Sequence, residues 1–270
     1  MAITKVTSSV LEDALTVTTI NGVGISSNIT NFSTSILISN DAGTGTLDAA
    51  SNNTGLGWEV FDDLTSGDDN AGFGKQALTK LTTGSNNIAM GTLAMFTNTT
   101  GSNNTALGHG ALYYNTTASN NTGLGYAALQ ANTTGNTNTA IGANALDANT
   151  TGSNMVAVGN NALGANTTGV QQVAVGDNAL AENTTGNYNH AIGMGVLDAT
   201  TTGSNNTGLG AYALSANTTA DHNTAIGYHA LVANTTGTYN TAVGSISGDA
   251  NTTANNNTSL GYATLSTACG

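Results

Sequence analysis

Four histidines, His109, His190, His222 and His229, are the side chains of this chain best suited to acid–base work near neutrality or to metal binding. Asp221–His222 is their one sequence-adjacent acid pairing, but no nucleophile is singled out among so many Ser and Thr. The acids Asp62, Asp63, Asp68 and Asp69 cluster and have the chemistry to hold a cation or form a solvated patch, whereas Asp147, Asp177, Asp198 and Asp249 stand alone. Cys269 is the only cysteine, so neither an intrachain disulfide nor a Cys-based metal site can form. Asn-Thr-Thr, an N-glycosylation acceptor pattern, begins at Asn98, Asn115, Asn132, Asn149, Asn166, Asn183, Asn217, Asn234 and Asn251.

Whether any of these residues converge depends on the element that carries them, and that element is a repeat. An apolar-Gly pair recurs at Leu56-Gly57, Phe73-Gly74, Met90-Gly91 and on to Val243-Gly244 and Leu260-Gly261, always from position i to position i + 17, without insertion or deletion. A fixed short period marks a stacked architecture. Measured from the nearest apolar marker, the histidines fall at +2, −2, −4 and +3, so no two share a phase. The Gly-Gly-x-Gly-x-Asp pattern of calcium-binding β-rolls is also missing. No catalytic, metal-binding or cofactor-binding residue emerges, no cofactor is implied, and the chain is not expected to be an enzyme.

Composition narrows the partners. Net charge is −12 with three Lys and no Arg, which excludes the phosphate neutralisation that nucleic-acid binding requires and disfavours anionic membranes. No run approaches the ~18–20 apolar residues that span a bilayer, so no membrane insertion is expected. Met1–Asp13 lacks a basic start followed by an apolar core and does not look like a secretory signal.

The frame from Ser51 onward, Asn-Thr-Thr-Gly-x-x-Asn-Thr-Ala-(Ile/Val/Leu)-Gly-x-x-Ala-Leu-x-Ala, suits short strands and turns better than helix, because Asn, Thr and Gly are weak helix formers. Thr139-Ala-Ile141 reads as a strand with Thr and Ile on one face and Asn138 and Ala140 on the other. Ala145-Leu146 reads as the start of a second strand, and burial of each coil's Ile and Leu is expected to form the core. A single coil is too short to fold alone. Stacked at the ~4.8 Å strand spacing, 13 coils give an all-β solenoid roughly 60 Å long.

Columns follow from stacking: Leu from Phe61 and Leu78 to Leu231, broken at Gly248 and resumed at Leu265; Thr from Thr65 to Thr252; Asn from Asn53 to Asn257, interrupted by Met155 and Gln172. The Asn column predicts amide ladders of the cross-β kind. Residues 1–50 lie outside the register and read as a β attachment or capping segment, with strands in Ala14–Ile20 and Ser33–Ser39, ahead of a shaft over 51–270.

At Asn138-Thr-Ala-Ile-Gly142 and Asn223-Thr-Ala-Ile-Gly227 the array resembles the head repeats of trimeric autotransporter adhesins. The longer phrase Asn205–Thr219 and the opening Met-Ala-Ile-Thr-Lys-Val-Thr look more like tail fibres of tailed bacteriophages. That resemblance covers residues 51–268. It implies a parallel homotrimeric fibre of the virion that takes part in attachment to a host cell-surface glycan or protein, with residues 1–50 meeting other tail or baseplate proteins. The autotransporter repeat is shorter than the period found here, and neither a signal peptide nor a membrane anchor is read from the sequence; those absences favour the phage resemblance. The alternatives are an extracellular bacterial surface or matrix filament protein, glycosylated at its Asn-Thr-Thr sites, and an ice-binding solenoid suggested by the Thr column. Small residues such as Ala140 and Ala157 are expected to permit close packing between protomers. The variable Tyr113, Tyr126, Tyr188, Tyr212, Tyr228 and Tyr239 are expected to differentiate the outer surface by stacking on sugars or packing at an interface.

Overall fold

The computed structural model describes residues 18–20, 23–29, 32–39 and 49–266. It is all-β, and no helix occurs among the described residues. Strands β1 (Thr18–Ile20), β2 (Val23–Ile29) and β3 (Phe32–Ser39) pair antiparallel, with Ile20 opposite Val23 and Ile25 opposite Ile38. The turn residues Asn21-Gly22 and Asn40-Asp41, and Ala14–Val17 of the first expected strand, lie outside the described residues. β3 then runs parallel to β4 (Ala50–Ser51) and to β5 (Thr54–Leu56), placing Ile36 beside Thr54 and Ile38 beside Leu56.

From β5 to β17 (Thr258–Leu260) the chain lays down one short strand per coil, each parallel to the next, with residue i always beside residue i + 17. β10 (Thr139–Ile141), for example, pairs Ala140 with Ala157 of β11 (Val156–Val158). The architecture is a β-solenoid. Backbone bonds between coils continue outside the strands, as in Leu146 N to Ala162 O at 3.0 Å and Thr150 N to Thr167 O at 2.9 Å.

The interior differs from the expected one. Ala140, Ala157 and their counterparts are 0% exposed, whereas Ile141 is 36% and Ile192 45% exposed. The strand faces divide as predicted, but the Ala-and-Asn face is the buried one. So short a coil encloses a narrow lumen, and one Leu, two small residues such as Ala140 and Ala145, and Asn side chains occupy it in each coil, leaving the β-branched residue outside. Ala140 and Ala157 therefore line the core and cannot mediate packing between protomers.

The expected second strand at Ala145-Leu146 is absent. Leu146 lies in a turn with φ 52°, and the whole Leu column shares this left-handed conformation, from Phe61 at 60° to Leu265 at 51°. Left-handed backbone costs an L-residue about 1–2 kcal/mol, while full burial of a Leu side chain returns about 1.5–3 kcal/mol. Burial wins, and the turn aims the Leu of each coil inward except Leu265, which is exposed on the last coil. Gly248 interrupts this column where φ is 63°. Glycine suits that backbone but leaves a cavity of about 20 Å³ lined by Leu231, Gly248, Ser259 and Leu265 among others.

At the apolar-Gly marker the constraint is proximity. A Cβ on Gly142 would collide with the carbonyl of Gly159 in the next coil, and its φ is 135°. No side chain fits between backbones stacked that closely.

Candidate functional surfaces

Two buried amide ladders run along the axis. In the first, Asn70, Asn87 and Asn104 each donate Nδ2 to Oδ1 of the Asn one coil earlier, at 3.0, 3.0 and 3.1 Å. Their backbone amides donate to the same oxygens at 2.9 to 3.0 Å. Met155 and Gln172 interrupt this ladder, and it resumes with Asn206 donating to Asn189 at 3.2 Å. The residue before each ladder Asn, such as Asn86, Asn103 or Asn120, has φ near 60°. The Asn-Asn dipeptides thus hold two requirements: a left-handed backbone that Asn tolerates, then a ladder rung.

The second ladder is built from the Asn-Thr-Thr asparagines. Asn115, Asn132, Asn149, Asn166 and Asn183 donate Nδ2 to the preceding rung at 2.8 to 3.1 Å. Thr200 breaks the ladder, leaving Asn183 Oδ1 buried without a partner; Gln172 Oε1 is likewise unpartnered. Asn98, Asn115, Asn132, Asn149, Asn166, Asn183, Asn217 and Asn234 are all 0% exposed. Folded, these sites are closed to any glycan, which corrects the reading of them as acceptors; Asn251 is half-buried and bonded to Asn234 at 3.0 Å. The first Thr of each pair also serves the axis: Thr150 Oγ1 donates to Thr167 O at 3.0 Å, and Thr65 to Thr82 O at 2.9 Å. The second Thr, as at Thr134 and Thr151, faces outward.

The remaining candidate residues disperse. His109 stacks on Tyr126, with centroids 5.6 Å apart, and His222 on Tyr239 at 4.8 Å. His190 opens β13 (His190–Ile192) on its exposed face. Among the described residues no group of three or more His, Cys, Asp or Glu side chains could hold a metal ion. Within the acidic cluster, Asp63 pairs with Lys80 at 3.1 Å, and Asp68 Oδ1 accepts from Ser51 N at 2.7 Å. Lys75 lies 4.6 Å over the Trp58 ring. Asp147 and Asp198 are half-buried, and desolvation raises the pKa of both above the ordinary carboxylate value; backbone hydrogen bonds oppose the shift, and Glu182 adds to it at Asp198. Cys269 lies outside the described residues.

Two outer features stand out. The first is the apolar column itself: Leu56 (49% exposed), Met90, Leu107, Leu124, Ile141, Ile192, Leu209, Ile226 and Leu260 all face outward from the sheet. Beside it on the same face runs a column of Thr and β-branched residues, including Ile88, Thr139 and Val156. The second is the aromatic decoration of the turns. Tyr126, Tyr188, Tyr228 and Tyr239 are exposed, Tyr212 is half-buried, and Tyr113 stacks on Phe96 at 5.3 Å with Tyr114 against its edge.

No helix among the described residues is long and apolar enough to cross a membrane. Comparison of the chain with protein-family models, curated proteins and solved structures returned no match.

Proposed function

We propose that this chain is the shaft of a fibre, assembled as a parallel homotrimer whose copies meet along the exposed apolar column. The observation that carries the reading is that column. One large apolar side chain stands outside on coil after coil, from Leu56 to Leu260. Continuous exposed apolar surface of this extent marks an interaction site rather than chance exposure. A second copy placed parallel and in register presents the same period, so every rung meets an equivalent rung. Three copies related by rotation about a common axis close this contact, as cyclic assemblies do.

The fibre belongs to a tailed-phage virion and takes part in attachment to a host surface, with residues 1–50 joining it to the rest of the tail. The resemblance of the repeat to phage tail fibres and the rod-like, laddered interior support this reading. The chain supplies stiffness and reach rather than catalysis.

Light scattering after size exclusion tests the assembly. The whole chain should elute at about three times 26.7 kDa, and Leu124→Asp with Ile141→Asp should give a folded particle of lower mass with an unchanged circular dichroism spectrum. A wild-type monomer of 26.7 kDa overturns the fibre. Peptides of the chain in purified tailed particles would support the virion location. Recovery only from cell-surface extracts would favour the bacterial filament.

A further inference from the structure

One surface groove is lined by side chains that vary from coil to coil. It is a shallow depression, open to solvent, lined by Tyr212, Ser215, His229 and Val232, with a volume of about 290 Å³. Tyr212 and His229 hold the same position in successive coils, and their rings meet edge to face with centroids 5.5 Å apart. Tyr228 stacks on the His229 ring at 4.0 Å and is 53% exposed. Gly210 and Gly227, with φ 115° and 136°, bend the chain just before these rings.

The backbone beneath the rings is strained. φ is 58° at Tyr212 and 56° at His229, a region that Asn and Gly tolerate and bulky residues avoid. The left-handed turn belongs to the repeat, for the same position is left-handed at Gln76, Leu93, Ala127 and Ile246 as well as at Asn144, Asn161, Asn178 and Gly195. In the Leu column, burial offsets such strain, but Tyr212 and His229 are only half-buried. Ser215 Oγ and the His229 ring nitrogens have no hydrogen-bond partner among the described residues.

These features select a ligand class. An aromatic face takes the C–H side of a sugar ring, while Ser215 and His229 present donors and acceptors at its edge; the Tyr212 hydroxyl donates to Met194 Sδ at 3.9 Å. No charged side chain lines the groove, and the chain carries −12, so anionic sugars are repelled. We propose that the Tyr212–Ser215–His229–Val232 groove binds one neutral hexopyranose unit of a glycan. This deepens the surface-attachment reading above and rests on it for its setting, but binding does not require the trimer.

Saturation-transfer NMR on the whole chain tests it, with methyl α- and β-glucopyranoside, methyl α- and β-galactopyranoside and methyl α-mannopyranoside as probes and glucuronate as the anionic control. At least one neutral glycoside should receive saturation at its ring C–H protons, and glucuronate should receive none. Tyr212→Asn restores the residue type of Asn144, Asn161 and Asn178 at this backbone position, so it should fold with unchanged circular dichroism yet reduce affinity tenfold or more. Tyr188→Asn, on an exposed ring outside the groove, should leave binding intact. No transfer from any neutral glycoside at millimolar concentration overturns the proposal, and so does transfer that persists in a folded Tyr212→Asn variant. Light scattering on the same samples reads assembly separately, so a trimer without sugar binding sinks this site alone, and a sugar-binding monomer sinks the trimer alone.

Discussion

Truncating one rung of a buried ladder measures what holds coil to coil. Asn149 Nδ2 donates to Asn132 Oδ1 at 2.8 Å and to Gly152 O at 3.0 Å, and its Oδ1 accepts from Asn166 Nδ2 at 3.1 Å. In Asn149→Ala, Gly152 O keeps Asn138 Nδ2 at 2.9 Å, and Asn166 Nδ2 keeps Gly169 O at 3.2 Å. Asn132 Oδ1 keeps nothing and is buried. Orphaning that acceptor costs about 1–3 kcal/mol, and each of the other two lost bonds about 0.5–1.5 kcal/mol. The total is about 2–6 kcal/mol, centred near 4.

Because solenoid coils contact only their neighbours, the loss should be local. Hydrogen exchange resolved by residue is the suitable assay. Protection of the Leu146 and Thr150 amides, which bond to Ala162 and Thr167, should fall by about a thousand-fold, since about 1.4 kcal/mol is a factor of ten. The Leu231 amide, five coils away, should be unaffected. Asn160→Ala, at an exposed side chain with one 3.4 Å bond to Ala143 O, should change protection by less than about threefold. A fall below tenfold at Leu146 and Thr150, or an equal fall at Leu231, would refute the ladder as the axial tie.

Other expectations follow from the same geometry. Gly142→Ala combines a φ of 135° with a collision against the Gly159 carbonyl; backbone strain alone costs about 1–3 kcal/mol, so thermal melts should show a clear loss, and an unchanged Tm would refute the close-approach argument. Asp147 and Asp198 bind their protons more tightly folded than unfolded, because burial raises both pKa values above 3.8. The stability tied to them is therefore full below that value and lost as pH rises through the folded pKa. Asp147→Asn with Asp198→Asn should melt above the wild type at about pH 7 and converge with it near pH 3; a lower Tm at neutral pH would contradict this.

The sequence carried the period, the one strand per coil at Thr139–Ile141 and its equivalents, and the first Asn ladder plainly, because each depends on residue type recurring at a fixed spacing. It carried the division of faces at Thr139–Ile141 but not which face turns inward. Hydrophobicity favoured Ile141, and only the width of the lumen excludes it in favour of Ala140. The left-handed Leu146 was illegible because Leu is a poor residue for that backbone, and tertiary burial overrides the local preference. The Asn-Thr-Thr asparagines carried two chemistries in one motif; exposure, which a sequence does not record, decides for the ladder. At the groove, Tyr212 and Tyr228 were recognisable as departures from the repeat, but their meeting with His229 depended on which positions stack.

The uniform register has a consequence for length. Each coil adds one strand spacing, about 4.8 Å, and joins its neighbours through the same positions as every other coil. Removing or duplicating one full period, or any whole number of periods, re-forms contacts of the same kind across the junction, while any other change in length throws every later ladder out of phase. The rod therefore behaves as a ruler graduated in single coils, whose reach is altered in whole steps by a recombination event that need not be placed at any particular coil boundary.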